Sequence, residues 1–407
     1  MNQPELIPHL FRTEYSKIVS VLGRLLGMQH IDVAEDIAAE TFLTAIETWP
    51  YKGIPANPAA WLYTVAKNKA KNLLTRNHIF REKVLPGIQQ DEFILAETEI
   101  DLSEQNISDS QLQMLFAVCN PIINAESQIG LALRILCGFG IDEIADALLS
   151  NKETISKRLS RAKEKLRSEK IAIAFPGPSG IPERLGTVLQ TLYLLFSEGY
   201  YSESNHTVIR EELCVEAMRL THLLLSNEAT NLPQVQALFS LMCFQSSRLE
   251  ARKTESGQMI LYHEQDETLW NQGLITKGVY YLHEASKGNI ISQYHIEASI
   301  AYWHTIKADT PQKWESILQL YNQLLQIQYS PIAALNRTYA FSKIHGKQAA
   351  ITEAEKLALV NNHFYFTLLG ELYMGIDNSK SHSHLEKALN LAKTKGDKLI
   401  IQKKLSR

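Results

Sequence analysis

Apolar residues recur along this chain at intervals of three and four, and strand-like alternation is scarce, so the pattern predicts an all-α fold. The clearest instance runs from Ile141 to Arg167. Ile141, Ile144, Ala145 and Leu148 share one face of a short helix, Ser150, Asn151 and Lys152 interrupt it, and Ile155, Leu159, Ala162 and Leu166 restart the period. Asn151 is placed to cap the second helix, and Glu153 sits in its first turn, where a carboxylate favours the helix dipole. Lys152, Lys157, Arg158, Arg161, Lys163, Lys165 and Arg167 make that helix basic. Such a pair is either a helix-turn-helix, which lays its second member in the major groove of DNA, or a solvated basic helix within a bundle.

Upstream, the run DVAEDIAAETFLTAIETW places Ala38, Phe42, Ala45 and Trp49 on one face and Asp36, Glu40 and Glu47 on another. The first face reads as core; the second is solvated surface or meets a basic partner. A following helix, roughly 59–77, has a buried stripe of Leu62, Val65, Ala66 and Leu73 and a polar face of Asn68, Lys71, Asn72 and Thr75, with Trp61 beside it. Trp61 either packs against the Phe42 helix or, with the amides and the lysine, offers unpaired bases a stacking plane, base-edge partners and phosphate neutralisation. The intervening loop, KGIPANP, is stiffened by prolines and suits a shaped pocket for an extruded base.

Four segments are expected: a helical unit at 1–80, an acidic connector at 81–108, a second helical unit at 109–170, and helices throughout 171–407. The stretch FPGPSGIP, with three prolines and two glycines, marks the last boundary. Near the C-terminus, LNRTY at 335–339 returns as LGELY at 369–373, an interval of 34 residues, with a looser echo, ASIAY, at 298–302. The small-residue and tyrosine positions resemble the first helix of tetratricopeptide repeats, whose stacked pairs leave a concave surface for a peptide or partner protein.

The 407 residues carry a net charge of −3, which counts against a free-standing strong DNA binder. Charge is unevenly placed, however: 61–83 and 150–170 are basic, whereas 91–109 holds seven carboxylates and no Lys or Arg. No segment approaches the ~18 unbroken apolar residues of a membrane helix, and the N-terminus lacks the features of a signal peptide. Cys119, Cys137, Cys214 and Cys243 form no CxxC pair and have no histidine at ligand spacing, so a reduced, cytoplasmic protein without metal or cofactor is expected. An enzyme is disfavoured: there is no Gly-rich phosphate loop or nucleophile–base spacing, and His263, Glu264 and Asp266 read as a polar loop.

Taken in order, AEDIAAETFLTAIETW, PAAWLYTVAKNKAKNLLTRN, the acidic connector and IDEIADALLSNKETISKRLSRAKEKLR resemble an extracytoplasmic-function sigma factor of bacterial RNA polymerase across residues 5–170. The remainder is similar to the long helical, tetratricopeptide-like extension of one sigma-factor group. The resemblance implies a binding protein whose partners are RNA polymerase core and promoter DNA. It implies polymerase docking by Asp36, Glu40, Thr41 and Phe42. It implies −10 element contacts by Trp61, Tyr63, Asn68, Lys71, Asn72 and Arg76, with the loop bounded by Lys52 and Asn57 capturing a base. Reading of the −35 element falls to Lys152, Glu153, Thr154, Ser156, Lys157, Arg158 and Arg161, and the acidic connector threads the polymerase cleft. Two departures stand out: Gly140 replaces the usual Ser or Thr cap, which predicts a loose helix start, and Cys119-Asn120-Pro121 replaces the group's Cys-Cys-His-Pro. A conventional helix-turn-helix regulator with a ligand- or peptide-sensing helical domain is the alternative; it leaves the Asp36 and Asn68 faces without a use.

Overall fold

The computed structural model describes residues 3–84, 100–201, 207–252 and 260–406, so 85–99 of the expected connector lie outside it. Among the described residues there are eighteen α-helices and no strand. They are α1 (Gln3–Leu26), α2 (Ile31–Lys52), α3 (Pro58–Val84), α4 (Glu104–Val118), α5 (Ala125–Leu131), α6 (Ile141–Ala147), α7 (Lys152–Ser168), α8 (Ile181–Tyr201) and α9 (Thr207–Leu225). There follow α10 (Pro233–Ser246), α11 (Gln272–Ala285), α12 (Gln293–Trp303), α13 (Pro311–Ile327), α14 (Pro331–His345), α15 (Lys347–Leu357), α16 (His363–Tyr373), α17 (Asn378–Leu391) and α18 (Lys395–Leu405). Local chemistry sets many of the starts. Ser103, Asn124, Asn151, Thr310, Ser330, Asp377 and Thr394 each accept a hydrogen bond from a backbone N–H of the helix they precede, and Pro233, Pro311 and Pro331 open helices whose first N–H has no internal partner anyway.

The chain forms two compact units, Met1–Gly199 with Val208–Thr230, and Tyr200–Thr207 with Asn231–Arg407. In the first, α1 buries Tyr15, Ile18, Val19 and Leu22 and packs on α2, α3, α4 and a π-helical turn at Ala132–Leu136. The approach is close at Gly23, where an added Cβ would lie 2.6 Å from the end of Met114 and 2.8 Å from that of Ile31. The boundary expected at residue 171 falls inside this unit. Beyond the short turn at Pro178–Gly180, α8 buries Leu185, Val188, Leu192 and Leu195. Thr191 donates to Gln128 at 2.8 Å, Arg219 of α9 donates to the carbonyl of Leu136 at 2.6 Å, and Arg184 donates to the carbonyl of Phe116. The Pro/Gly cluster therefore marks a turn within a packed body.

In the second unit each helix from α12 to α18 packs on its neighbour in sequence. Successive cores form around Ile296, Trp314 and Ile317, then Leu335, Ile351 and Leu369, then Leu385, Ala388 and Ile401. The three echoed sequence motifs fall on alternate helices, α12, α14 and α16. Their burial differs: Tyr373 is buried, Tyr339 is 40 % exposed and Tyr302 is intermediate. The small residue is explained at one position. A Cβ on Gly370 would stand 2.6 Å from Leu385 Cγ, and the Gly370 carbonyl accepts from Ser381 at 2.7 Å, so α17 rests directly on the α16 backbone.

Candidate nucleic-acid interface

The inward stripe of α2 is as the period predicts, with Ala38, Phe42, Ala45 and Trp49 all buried. Two residues expected to dock a partner lie in this core. Thr41 is fully buried and donates to the carbonyl of Ile37 at 2.7 Å, and Phe42 sets its ring edge against Phe11 at 5.0 Å. Neither can touch a partner without unpacking the helix. Asp36 and Glu40 remain outside, Glu40 paired with Lys69 at 3.2 Å. Leu43 and Ile46, each 52 % exposed, continue their row, giving an acidic stripe with an apolar centre. Sequence reasoning missed both, although two large aliphatics outside the inward stripe were the signal.

Gly53, at φ +82°, ends α2 in a conformation that favours glycine, and its N–H returns to the carbonyl of Trp49. Tyr51, 90 % exposed, and Lys52 stand at this corner. Asn57 caps α3, its side-chain oxygen accepting from the Ala60 N–H at 3.0 Å, so that oxygen is already engaged. On α3, Asn68, Lys71, Asn72 and Thr75 are exposed together. Trp61 combines its two readings: its ring meets Trp49 edge-on at 5.4 Å while the residue stays partly exposed beside that face. Tyr63 points elsewhere. Its hydroxyl donates to Glu14 at 2.5 Å, tying α3 to α1, and burial together with that carboxylate pushes its pKa up. The side chain of Arg76 lies outside the described residues.

The four-residue turn between α6 and α7 includes Leu149 at φ +49°. Ile155, Leu159, Ala162 and Leu166 are buried, and Asn151 accepts from the Thr154 N–H at 2.8 Å. Thr154, Ser156, Lys157 and Arg161 face outward, as do Lys152 and Glu153, which pair with Asp142 at 3.0 Å and Lys157 at 2.6 Å. Exposed pairs of this kind contribute little to stability and exchange readily for a phosphate. Arg158 differs: it is partly buried and bonds Glu126 of α5 at 2.8 Å, which makes it a tie within the unit. Lys163 and Arg167, near the end of the helix, turn toward α2. The loose start expected at Gly140 is corrected, because Glu143 accepts from the Gly140 N–H at 2.6 Å and fixes the first turn of α6 from within.

The four cysteines are buried, and burial raises the Cys119 thiol to about 12, which keeps it protonated. Asp266 caps its own turn by accepting from the Thr268 N–H at 2.9 Å, and Glu264 bonds the distant Lys403 at 2.8 Å, so each has a structural partner. Among the described residues no group of three or more His, Cys, Asp or Glu could hold a metal ion, and no helix is long and apolar enough to cross a membrane.

Comparison with known proteins adds three findings. Residues 10–78, which hold the α2 stripe and the α3 face, match Sigma-70 region 2, and this supports a sigma-factor-like role in transcription initiation. Residues 184–286 match a family of unknown function, DUF6596. The chain is 32 % identical over 396 residues to "Uncharacterized protein R00370" of Rhizobium meliloti (strain 1021), a similarity covering 94 % of this chain and 92 % of that protein. No solved structure matches.

Proposed function

The chain belongs to the family of the Rhizobium meliloti protein and opens with a sigma-70 region 2 domain; from that premise we propose that it is a cytoplasmic sigma factor of the extracytoplasmic-function type. The observation that carries the reading is the pairing, within residues 10–78, of an acidic-apolar stripe on α2 with an amide- and lysine-bearing face on α3. The stripe suits a protein surface and the face suits unpaired bases. In this reading Asp36, Glu40, Leu43 and Ile46 meet RNA polymerase core, and Trp61, Asn68, Lys71 and Asn72 hold the separated strand of the −10 element. Helix α7, the second member of a helix-turn-helix, reads the −35 major groove through Thr154, Ser156, Lys157 and Arg161. The chemistry is binding, and two weak readers gain effective concentration once polymerase holds both. The neighbour-on-neighbour helices of the second unit support a tetratricopeptide-like array that regulates the first.

Run-off transcription with purified core polymerase tests the reading. Lys157→Ala with Arg161→Ala, both exposed and outside the packing, is expected to weaken holoenzyme binding to promoter DNA and to reduce the slope of log K against log salt by about 2. An unchanged slope would remove α7 from the groove. A chain that never joins the core enzyme would remove the whole assignment.

A further inference from the structure

In the second unit, Tyr262 stands where the end of α10, the segment 260–271 and the junction of α12 with α13 come together. Around its ring lie the guanidinium carbon of Arg248 at 5.5 Å and Lys313 Nζ at 5.1 Å, the Trp270 ring at 6.3 Å and the His304 ring, edge-on, at 5.3 Å. The backbone fixes the grouping. The Asn271 N–H donates to the carbonyl of Ser247 at 2.8 Å, the Gln265 N–H to that of Tyr262 at 3.3 Å, and Lys307 Nζ to that of Gln265 at 2.6 Å. Tyr262 and His304 are partly exposed, so the cluster lies at the edge of the core, within reach of solvent.

Two cations are buried here without a carboxylate partner among the described residues. Lys313 is 1 % exposed, and its Nζ bonds neutral oxygens, the Tyr262 hydroxyl at 3.0 Å and the carbonyl of Ile306. It occupies the first turn of α13, where the helix dipole opposes a positive charge. Arg248 is 9 % exposed, and its Nε meets no acceptor. The neighbouring carboxylates are engaged or outside: Asp309 is bonded to Trp314 and, at 3.2 Å, to Lys343, Asp266 caps its own turn, and Glu267 is exposed. His304 adds no third charge, because burial, Arg248 and Lys313 keep its ring neutral. Two further buried atoms are orphaned. Trp270 Nε1 is a donor without an acceptor and Gln265 Oε1 an acceptor without a donor, each on a residue 4 % exposed. A buried charge is costly unless paired, and buried polar atoms in native proteins almost always have partners. One kind of partner answers all four groups: small, negatively charged, rich in acceptor oxygens and carrying one donor.

We propose that this cluster is a binding site for a small oxyanion, a carboxylate or phosphate compound bearing a hydroxyl group. Arg248 and Lys313 supply the opposite charge, the Trp270 indole N–H donates to an anion oxygen, and Gln265 accepts from the hydroxyl. Tyr262 and His304 form the solvent-facing rim. Because these residues come from the end of α10, the 260–271 segment, α12 and α13, a bound anion draws those elements together and tightens the start of the helical stack. The binding stands on these residues alone; its use as an input to transcription rests on the sigma-factor reading, and the test below needs no polymerase, so either can fail without the other.

The full-length chain, at constant ionic strength in chloride, is titrated calorimetrically with inorganic phosphate and, separately, with malate; both probes carry an O–H. Saturable binding of one of them with a Kd below about 1 mM is expected, and the probe that binds distinguishes phosphate from carboxylate chemistry. Arg248→Gln should weaken that binding about tenfold or more, and Trp270→Phe, which keeps the aromatic packing, about fivefold. The exposed Lys287→Gln should leave it unchanged. In indole N–H spectra of the five tryptophans, the resonance missing from Trp270→Phe should shift with the same Kd. Saturation by neither probe overturns the site. Binding retained at full strength in both variants marks an adventitious ion only, and a Trp270 resonance that ignores both probes marks an N–H met by buried water; each overturns the proposal.

Discussion

In the first unit, side chains roughly a hundred or more residues apart in sequence share ion pairs: Arg12 with Glu143, Glu35 with Arg134, and Asp32 with Lys163 and Arg167. In the second unit most polar ties join neighbouring helices. Arg337 reaches Asn322 and Glu353, Tyr373 reaches Glu355, and Ser381 reaches Gly370; the exposed Lys403–Glu264 pair is a long-range exception. The first unit therefore orders its helices by contacts that exist only once the whole body has assembled. The second approximates a one-dimensional stack, in which each helix depends on its neighbours. A body of the first kind opens as a unit, and one of the second kind loosens locally.

Truncation gives the largest expected effect. Ending the chain at residue 170 removes α8 and α9, and with them Leu185, Val188, Leu192, Leu195, Leu213 and Leu220, each at most 1 % exposed. At about 1.5–3 kcal/mol for each buried side chain the loss is on the order of 10 kcal/mol, comparable with the whole stability of a typical domain. A chain ending at residue 230 keeps the first unit entire. The shorter chain is expected to lose cooperative melting by circular dichroism, and the longer one to retain it. Equal melting of the two would show that α8 and α9 are dispensable to the first body.

A smaller change probes the stack. Gly370→Ala drives a methyl group into Leu385, for an expected cost of about 1–3 kcal/mol. Hydrogen exchange should quicken in α16–α18 while α10–α12 keep their protection. Loss of protection spread evenly from α10 to α18 would mean that the second unit is as cooperative as the first, and the contrast between them would fail.

The same contrast governs what the sequence reveals. Helices, the Asn151 cap and the inward faces of α2 and α7 were legible because each depends on residues within a few positions of one another. The exposed face of α3 was legible for the same reason. Thr41 and Phe42 received a docking role from the resemblance, which carries a role but not a burial, although the period itself had set Phe42 on the inward face; the packing of α1 on α2 decides which face is covered. The ties of Lys163, Arg167 and Arg158 were invisible, since a cation on a helix looks alike whether it faces phosphate or a carboxylate more than a hundred residues away. The boundary near 171 was misplaced for a related reason. Proline and glycine signal a turn, and a turn says nothing about which body the next helix joins.

Mild acid gives the smallest effect and separates the units by sign and range. In the second unit His295, His304 and His384 have lowered pKa values, chiefly through burial; that of His304, between Tyr262 and Trp314 and near Arg248 and Lys313, falls to about 3. An unfolded histidine titrates near 6.5, so as pH falls below that value the unfolded chain takes up protons that these folded rings refuse, and stability is lost. The cost between pH 7 and 5 is expected to be on the order of 1 kcal/mol. In the first unit partial burial pushes the Asp32 carboxyl up, but Lys163 and Arg167 together outweigh it and hold its pKa below the ordinary value. Its contribution is therefore present above about pH 4 and is lost only as pH falls through that lowered value. Hydrogen exchange at pH 7 and pH 5, corrected for intrinsic rates, should show α12 and α13 loosening while α2 and α7 hold. His304→Phe should flatten the response of α12 and α13. Parallel loosening of α2 and α7 over that interval would mean that their junction depends on a group other than the Asp32 and Glu35 carboxylates.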